Sequence, residues 1–252
     1  MADYATIAVD DTGPVARVTL NLPDKRNPIS PLMCGELIAA FKAVRANVII
    51  LTGAGKVFSA GGDLSGMQAK TDGTPPATLV ELLTTMHELG KPIVAMVNGH
   101  ALAGGLGLMV ACDLVIAADS AQFGTTEIGV GLWPMMITAE ITRSVGRKKT
   151  LEMMLTGRKL DAAEALACGL VNRIVPAAEL ESETMKLATE IAARSPAAIR
   201  LGLLAFYRSQ DTELEPQLKY LQGELGRVLA LEDAAEGIAA FLQKRAPVWK
   251  GR

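Results

Sequence analysis

Apolar and polar positions alternate at the start of the chain and then cease to. ATIAVDD and VARVTLNL alternate on either side of Gly13-Pro14, which predicts an antiparallel hairpin. Pro31 opens PLMCGELIAAFKAV, whose apolar residues recur at helical spacing. NVIILTG, PIVAMVNG and DLVIAAD are short apolar runs, the signature of strands buried on both faces of a parallel sheet. Between the first two, KVFSAGGDLSG and TDGTPPAT read as loops, and TLVELLTTMHELG reads as a helix closed by Gly90 and Lys91-Pro92. Strand and helix alternating across residues 48–118 predict an α/β fold. From Trp133 onward only VNRIV reads as strand. Helices dominate there: LESETMKLATEIAARS, PAAIRLGLLAFYRS, LEPQLKYLQGELGRVLAL and EDAAEGIAAFLQKR. The pattern divides the chain into a core over 1–195 and an appended helical subdomain over 196–252. Such an appendage covers a site or builds an oligomer interface.

Composition narrows this picture. Half of the 252 residues are hydrophobic but only 4% are aromatic, so the core must be built from Ala, Val, Ile, Leu and Met. The net charge is −2 and the basic residues are scattered, which argues against a nucleic-acid partner. The three cysteines are odd in number and none has CxxC spacing, so they read as reduced thiols, with Cys112 a small core residue. MADYATIAVDD lacks the charged and apolar segments of a signal peptide, and no apolar run reaches the ~20 residues of a membrane span. The expectation is a cytoplasmic protein without a membrane partner.

The glycine-rich segments fail the obvious tests. Gly99 to Gly104 has P-loop spacing, but Gly105-Leu106 stands where Lys and Ser/Thr are required. TGAGKVF begins like a dinucleotide fingerprint but has Phe58 at the third glycine position. No HExxH, Cys/His ligand set or GxSxG occurs, so no metal is expected. What remains is a pair of bare turns: Ala60-Gly61-Gly62 after one apolar strand and Ala103-Gly104-Gly105 after the next. Bare backbone lets a ligand approach N–H groups. The second turn opens helix GGLGLMVACD, whose first N–H groups lack intrahelical partners. Tight packing explains either turn alone. The pair points to an oxyanion hole, in which each donor is worth about 2.7–4 kcal/mol to a transition state with charge on a carbonyl oxygen.

At these residues the chain resembles the crotonase (enoyl-CoA hydratase/isomerase) superfamily. The matching motifs are LNLPDKRNPIS (20–30), LTGAGKVFSAGGDL (51–64), KPIVAMVNGHALAGGLGLMVACDLVIAAD (91–119), AQFGTTEIGVGLWP (121–134), LTGRKLDAAEALACGLVNRIVP (155–176) and FLQKRAPVW (241–249). They run through nearly the whole chain. The resemblance implies a ββα spiral with a C-terminal helical trimerisation region, assembled as a homotrimer or a dimer of trimers. It implies an acyl-CoA thioester as substrate and no separate cofactor, coenzyme A being part of the substrate. By position it gives the oxyanion amides to Ala60 and Gly104. Gly61, Gly62, Asp63 and Leu64 fall in the first turn, where Asp63 is expected to order the loop. Lys25 and Arg26 fall in the loop that lies against the CoA nucleotide, and Phe241 and Lys244 match C-terminal CoA contacts.

Hydratases of this superfamily carry two glutamates. One is matched here by Glu127 and the other by Gly107. Hydration needs a group to activate water and a proton for C2. Moving a double bond from C3 to C2 needs one base, which returns the proton at C4. A lone buried Glu with a raised pKa suffices for that, so Gly107 tilts the expected reaction towards isomerisation. A non-catalytic CoA-thioester-binding scaffold is the alternative from another class. Trp133, Met135 and Met136 replace a glycine-rich turn, where they either line an apolar acyl pocket or fill core space. His100 beside the second turn is a candidate proton carrier or a structural residue, and His87 is expected to be solvated.

Overall fold

The computed structural model describes residues 3–63 and 77–252. Leu64, the end of the first expected loop and most of the second lie outside the described residues.

The hairpin is present: β1 (Ile7–Asp10) and β2 (Val15–Leu20) pair antiparallel, with Ile7 opposite Leu20. β2 then runs parallel to β3 (Val48–Gly53), and the sheet continues through β5 (Ile93–Val97), β7 (Leu114–Ala118) and β10 (Arg173–Val175). The apolar runs are buried because both faces of the sheet are covered. Ile49 and Leu51 of β3 join a core with Leu37 and Phe41 of α1 (Pro31–Ala43). Val48 and Ile50 face the other way and pack with Val94, Met96, Ile116 and Ala118 under Leu180 and Ala188 of α6 (Leu180–Ala192).

A second sheet was not visible in the hydrophobic pattern. The stretch KVFSAGGDLSG, expected as loop, contains β4 (Val57–Ser59). β4 pairs parallel with β6 (His100–Leu102), and β6 pairs parallel with β8 (Gln122–Gly124). The two-residue β9 (Leu160–Asp161) closes this sheet antiparallel to β8. Strands of three residues are too short to show a period. The helices expected from the sequence are present, among them α2 (Leu79–Glu88) with a Thr78–Glu81 capping box, α7 (Pro196–Ser209), α8 (Leu214–Leu229) and α9 (Glu232–Leu242). The helix expected to open at the second bare turn is α3 (Gly104–Val110), and the sequence also forms α5 (Ala162–Ala167) and a longer α4 (Met135–Thr156), which the spacing alone did not predict and which is interrupted at Gly146 (φ 73°). Among the described residues no helix is long and apolar enough to cross a membrane.

One buried side chain joins the two sheets. Asn27 is fully buried with φ 52°, a backbone conformation that Asn tolerates better than most residues. Its Oδ1 accepts from the Leu22 N–H (2.9 Å), and its Nδ2 donates to the carbonyls of Ala54 (2.9 Å), Val57 (3.1 Å) and Phe58 (3.2 Å). The Ser59 hydroxyl in turn donates to the Asn27 carbonyl (2.7 Å). The loop after β2 is thereby fastened to β4. Removing the amide strands one buried and two part-buried carbonyls, so Asn27→Ala should lower stability by about 2–3 kcal/mol, measured by urea unfolding. An unchanged midpoint would mean that the loop is held by other contacts.

Candidate active site

The three parallel strands of the second sheet deliver the site. Ser59 of β4 lies opposite Ala101 of β6, and Leu102 of β6 lies opposite Gly124 of β8. Parallel neighbours end on the same edge. The first bare turn, the second bare turn and Glu127 therefore leave one edge of one sheet, which is the usual place for ligands in such sheets. The Ala103 N–H donates to the Gly124 carbonyl (2.8 Å) and ties the second turn to β8.

The two turns touch backbone to backbone. Gly61 has φ 110°, and a Cβ there would lie 2.6 Å from the Ala103 Cβ. A Cβ on Gly104 would lie 3.5 Å from the Gly62 nitrogen. Which amides are open corrects the sequence expectation. The Ala60 N–H donates to the Arg26 carbonyl (2.9 Å), so it is not available to a ligand. The Gly61 carbonyl and the Asp63 N–H both pair with Ile29 (2.7 and 3.1 Å). Along extended backbone successive residues present their polar groups to opposite sides, so the Gly62 N–H points away from Ile29. Among the described residues neither the Gly62 nor the Gly104 amide has a hydrogen-bond partner. The open pair is Gly62 and Gly104, and Ala60 anchors the turn instead.

Glu127 begins a single helical turn, Glu127–Val130, three residues after β8. Its Oε2 is closed to solvent and has no partner among the described residues. Burial disfavours the charged carboxylate and holds its pKa above the usual range, with only a backbone hydrogen bond acting the other way.

Gly107 is one turn along α3 from Gly104, on the same helix face. The space in front of it is filled. A Cβ on Gly107 would stand 2.0 Å from Cγ2 and 2.7 Å from Cβ of Ile137, a residue of α4 that is 2% exposed. An apolar side chain thus occupies the room into which a larger residue at 107 would extend.

Residues 10–252 match the family model for enoyl-CoA hydratase/isomerase. The chain belongs to the enoyl-CoA hydratase/isomerase family. It is 37% identical over 247 residues to a putative enoyl-CoA hydratase of Thermus thermophilus, covering 94% of this chain and 98% of that one. It is 35% identical over 243 residues to the human mitochondrial enoyl-CoA hydratase domain-containing protein 3, covering 93% of this chain and 80% of that one. The crystal structure of an enoyl-CoA hydratase subunit from Geobacillus kaustophilus superposes with a TM-score of 0.91 at 33% identity, over 100% of both chains. That of the human domain-containing protein 3 gives 0.90 at 34% identity, over 97% of this chain and 100% of that one. The mixed α/β architecture is therefore the crotonase fold.

The remaining expected residues of this family member fall into three groups. Lys25 and Arg26 are exposed in the turn fastened by Asn27, and the Arg26–Ala60 hydrogen bond sets them beside the first bare turn. Trp133 is half-buried against the main core. Met135 and Met136 are 69% and 49% exposed, so they do not fill core space in the single chain. Phe241 (83% exposed) and Lys244 stand at the end of α9, which packs on α7 and α8, and share no hydrogen bond or ion pair with the two turns among the described residues.

His100 starts β6 opposite Val57 and is half-buried, with an Nδ1 closed to solvent and without a partner among the described residues. His87 corrects its expectation. It is not solvated but stacks on Tyr207 (4.3 Å between centroids), with Nε2 3.3 Å from a Glu140 oxygen. Cys112 is buried and its thiol is pushed well up by burial, as expected of an inert core residue.

The Gly107–Ile137 contact is checked by a double-mutant cycle. Gly107→Ala alone should destabilise by about 1–3 kcal/mol through overpacking. Combined with Ile137→Ala it should cost less than the two single changes together, because the added methyl then enters the vacated space. Additive effects would show that the two residues do not meet.

Proposed function

We propose that this protein is an acyl-CoA enzyme that forms a thioester enolate, with the amides of Gly62 and Gly104 as oxyanion donors and Glu127 as the single acid/base. The observation that carries the reading is the solvent-closed, unpartnered oxygen of Glu127 on the same sheet edge as two open amides. The closeness of the two turns supports it, since both donors can reach one oxygen. Coenzyme A is part of the substrate, and the chemistry asks for no separate cofactor.

The reaction we favour is Δ3–Δ2 isomerisation of an enoyl-CoA. Glu127 takes a proton from C2, and negative charge develops on the thioester oxygen between the two amides. The double bond shifts as the same carboxyl returns the proton to C4. No atom is gained or lost, and one base serves both steps. Burial matters twice. It raises the proton affinity of Glu127 towards that of a weakly acidic substrate, and it strengthens the pull of the amides on the enolate oxygen. The similarity to proteins named hydratases favours hydration instead, and a CoA-binding scaffold without turnover remains the alternative of a different class.

The same reading includes assembly into a trimer or a dimer of trimers. Leu214, Leu218, Leu225 and Leu229 of α8 are each more than half exposed and recur at helical spacing, and Phe241 and Leu242 extend an apolar surface at the end of α9. Covering that face with further copies would bury it, and would offer Phe241 and Lys244 a route to CoA on a neighbouring subunit.

Turnover of a 3-enoyl-CoA is expected, and Glu127→Gln should lower kcat by about 10²–10⁴-fold with little change in binding. The base must be ionised to work. Because burial raises its pKa, kcat/KM should fall as pH falls through a value above the ordinary Glu range near 4.5. An acid limb at or below that value, or full activity in Glu127→Gln, would exclude Glu127 as the base. Light scattering should give a mass of three or six times 26.5 kDa, and a monomer would sink the assembly.

A further inference from the structure

We infer that Ile137 decides what the enolate can react with, by sealing the wall of the site against water. This rests on the acyl-CoA reading above and goes one step further, to the side chain that separates rearrangement of the substrate from addition to it.

The observations are steric. Gly107 shares the face of α3 that carries the Gly104 amide, one turn further along. Any side chain at 107 would extend towards α4, and there the Ile137 Cγ2 already stands 2.0 Å from the Cβ position. Ile137 is itself buried and belongs to the same hydrophobic core as Leu106, Leu108 and Ile141. The wall is thus apolar and close-packed. The isoleucine side chain offers no donor or acceptor to hold a water molecule there, which needs two to four polar partners to occupy a buried site. The other half of the site keeps its polarity, with Glu127 and the two open amides.

The chemical consequence follows from the proton count. In isomerisation the C2–H bond breaks, the proton passes to Glu127, and a C4–H bond forms with that same proton. In hydration a water oxygen bonds to C3 and a proton must reach C2, so water has to stand beside the substrate. A sealed wall permits the first and denies the second. It also keeps the proton on Glu127 from exchanging with solvent between its two transfers.

The test uses the full-length protein and a 3-hexenoyl-CoA carrying deuterium at C2, with products analysed by mass spectrometry. The parent should move label from C2 to C4 with high retention and leave crotonyl-CoA almost unhydrated. Ile137→Ala should keep isomerising while retention falls several-fold, and the milder Ile137→Val should lie between. Gly107→Glu with Ile137→Gly should raise crotonyl-CoA hydration about 10-fold or more over the parent, as a second carboxylate and water enter together. Thermal melts of each variant establish that it is folded.

Label that washes out fully in the parent, or that is retained equally in Ile137→Ala, overturns the assignment of Ile137 while leaving Glu127 as the base. A parent that turns over neither substrate, or that is indifferent to Glu127→Gln, overturns the acyl-CoA reading and this inference with it.

Discussion

Two stretches of backbone meeting without side chains between them are the constraint on which the site depends. Gly61 lies against Ala103, and Gly62 lies against Gly104. Ala103 holds a left-handed φ of 50°, a conformation that costs a non-glycine residue about 1–3 kcal/mol. Its N–H bond to Gly124 and the parallel pairing of β4, β6 and β8 maintain it. If the strands were to slip or the turns to part, the two open amides would no longer lie side by side. The buried Asn27 matters for the same reason, since it holds the approach to β4 and presents the Arg26 carbonyl that engages Ala60.

Two buried carboxylates differ in the donors that the fold supplies to them. Asp113 and Glu127 are both raised by burial. Asp113 is supplied with donors: the Tyr207 hydroxyl at 2.6 Å and the Ile93 N–H at 2.6 Å. It fastens the end of α3 to α7 and β5, and its hydrogen bonds oppose the effect of burial. The Oε2 of Glu127 has no such supply. A buried polar atom left without a partner is expensive, so each one calls for a reason in the structure around it.

Much of the fold was legible because it depends on local periodicity. β3, β5 and β7 stand out as apolar runs, since sheets covered on both faces need apolar side chains on both. The hairpin and most of the long helices are equally plain. The second sheet was not legible, because its strands are two or three residues long and are defined by partners far away in sequence. The site shows the same division. Two bare turns and Glu127 could be found from motifs. That Gly62 rather than Ala60 offers the open amide could not, because it depends on which way each N–H faces once residues 26–29 lie alongside. Nor could Ile137 be connected with Gly107, thirty positions away on another helix. Leu64 lies outside the described residues.

The interlock of Gly107 and Ile137 also bears on how such a protein changes over generations. A side chain at 107 collides with α4 unless 137 has already become smaller, whereas a smaller residue at 137 leaves only a cavity. The order of substitutions is therefore not symmetrical. A lineage can enlarge position 107 by way of a loosened core at 137, but not in the reverse order. The isoleucine acts as a ratchet, holding position 107 to a residue without a side chain for as long as it stays.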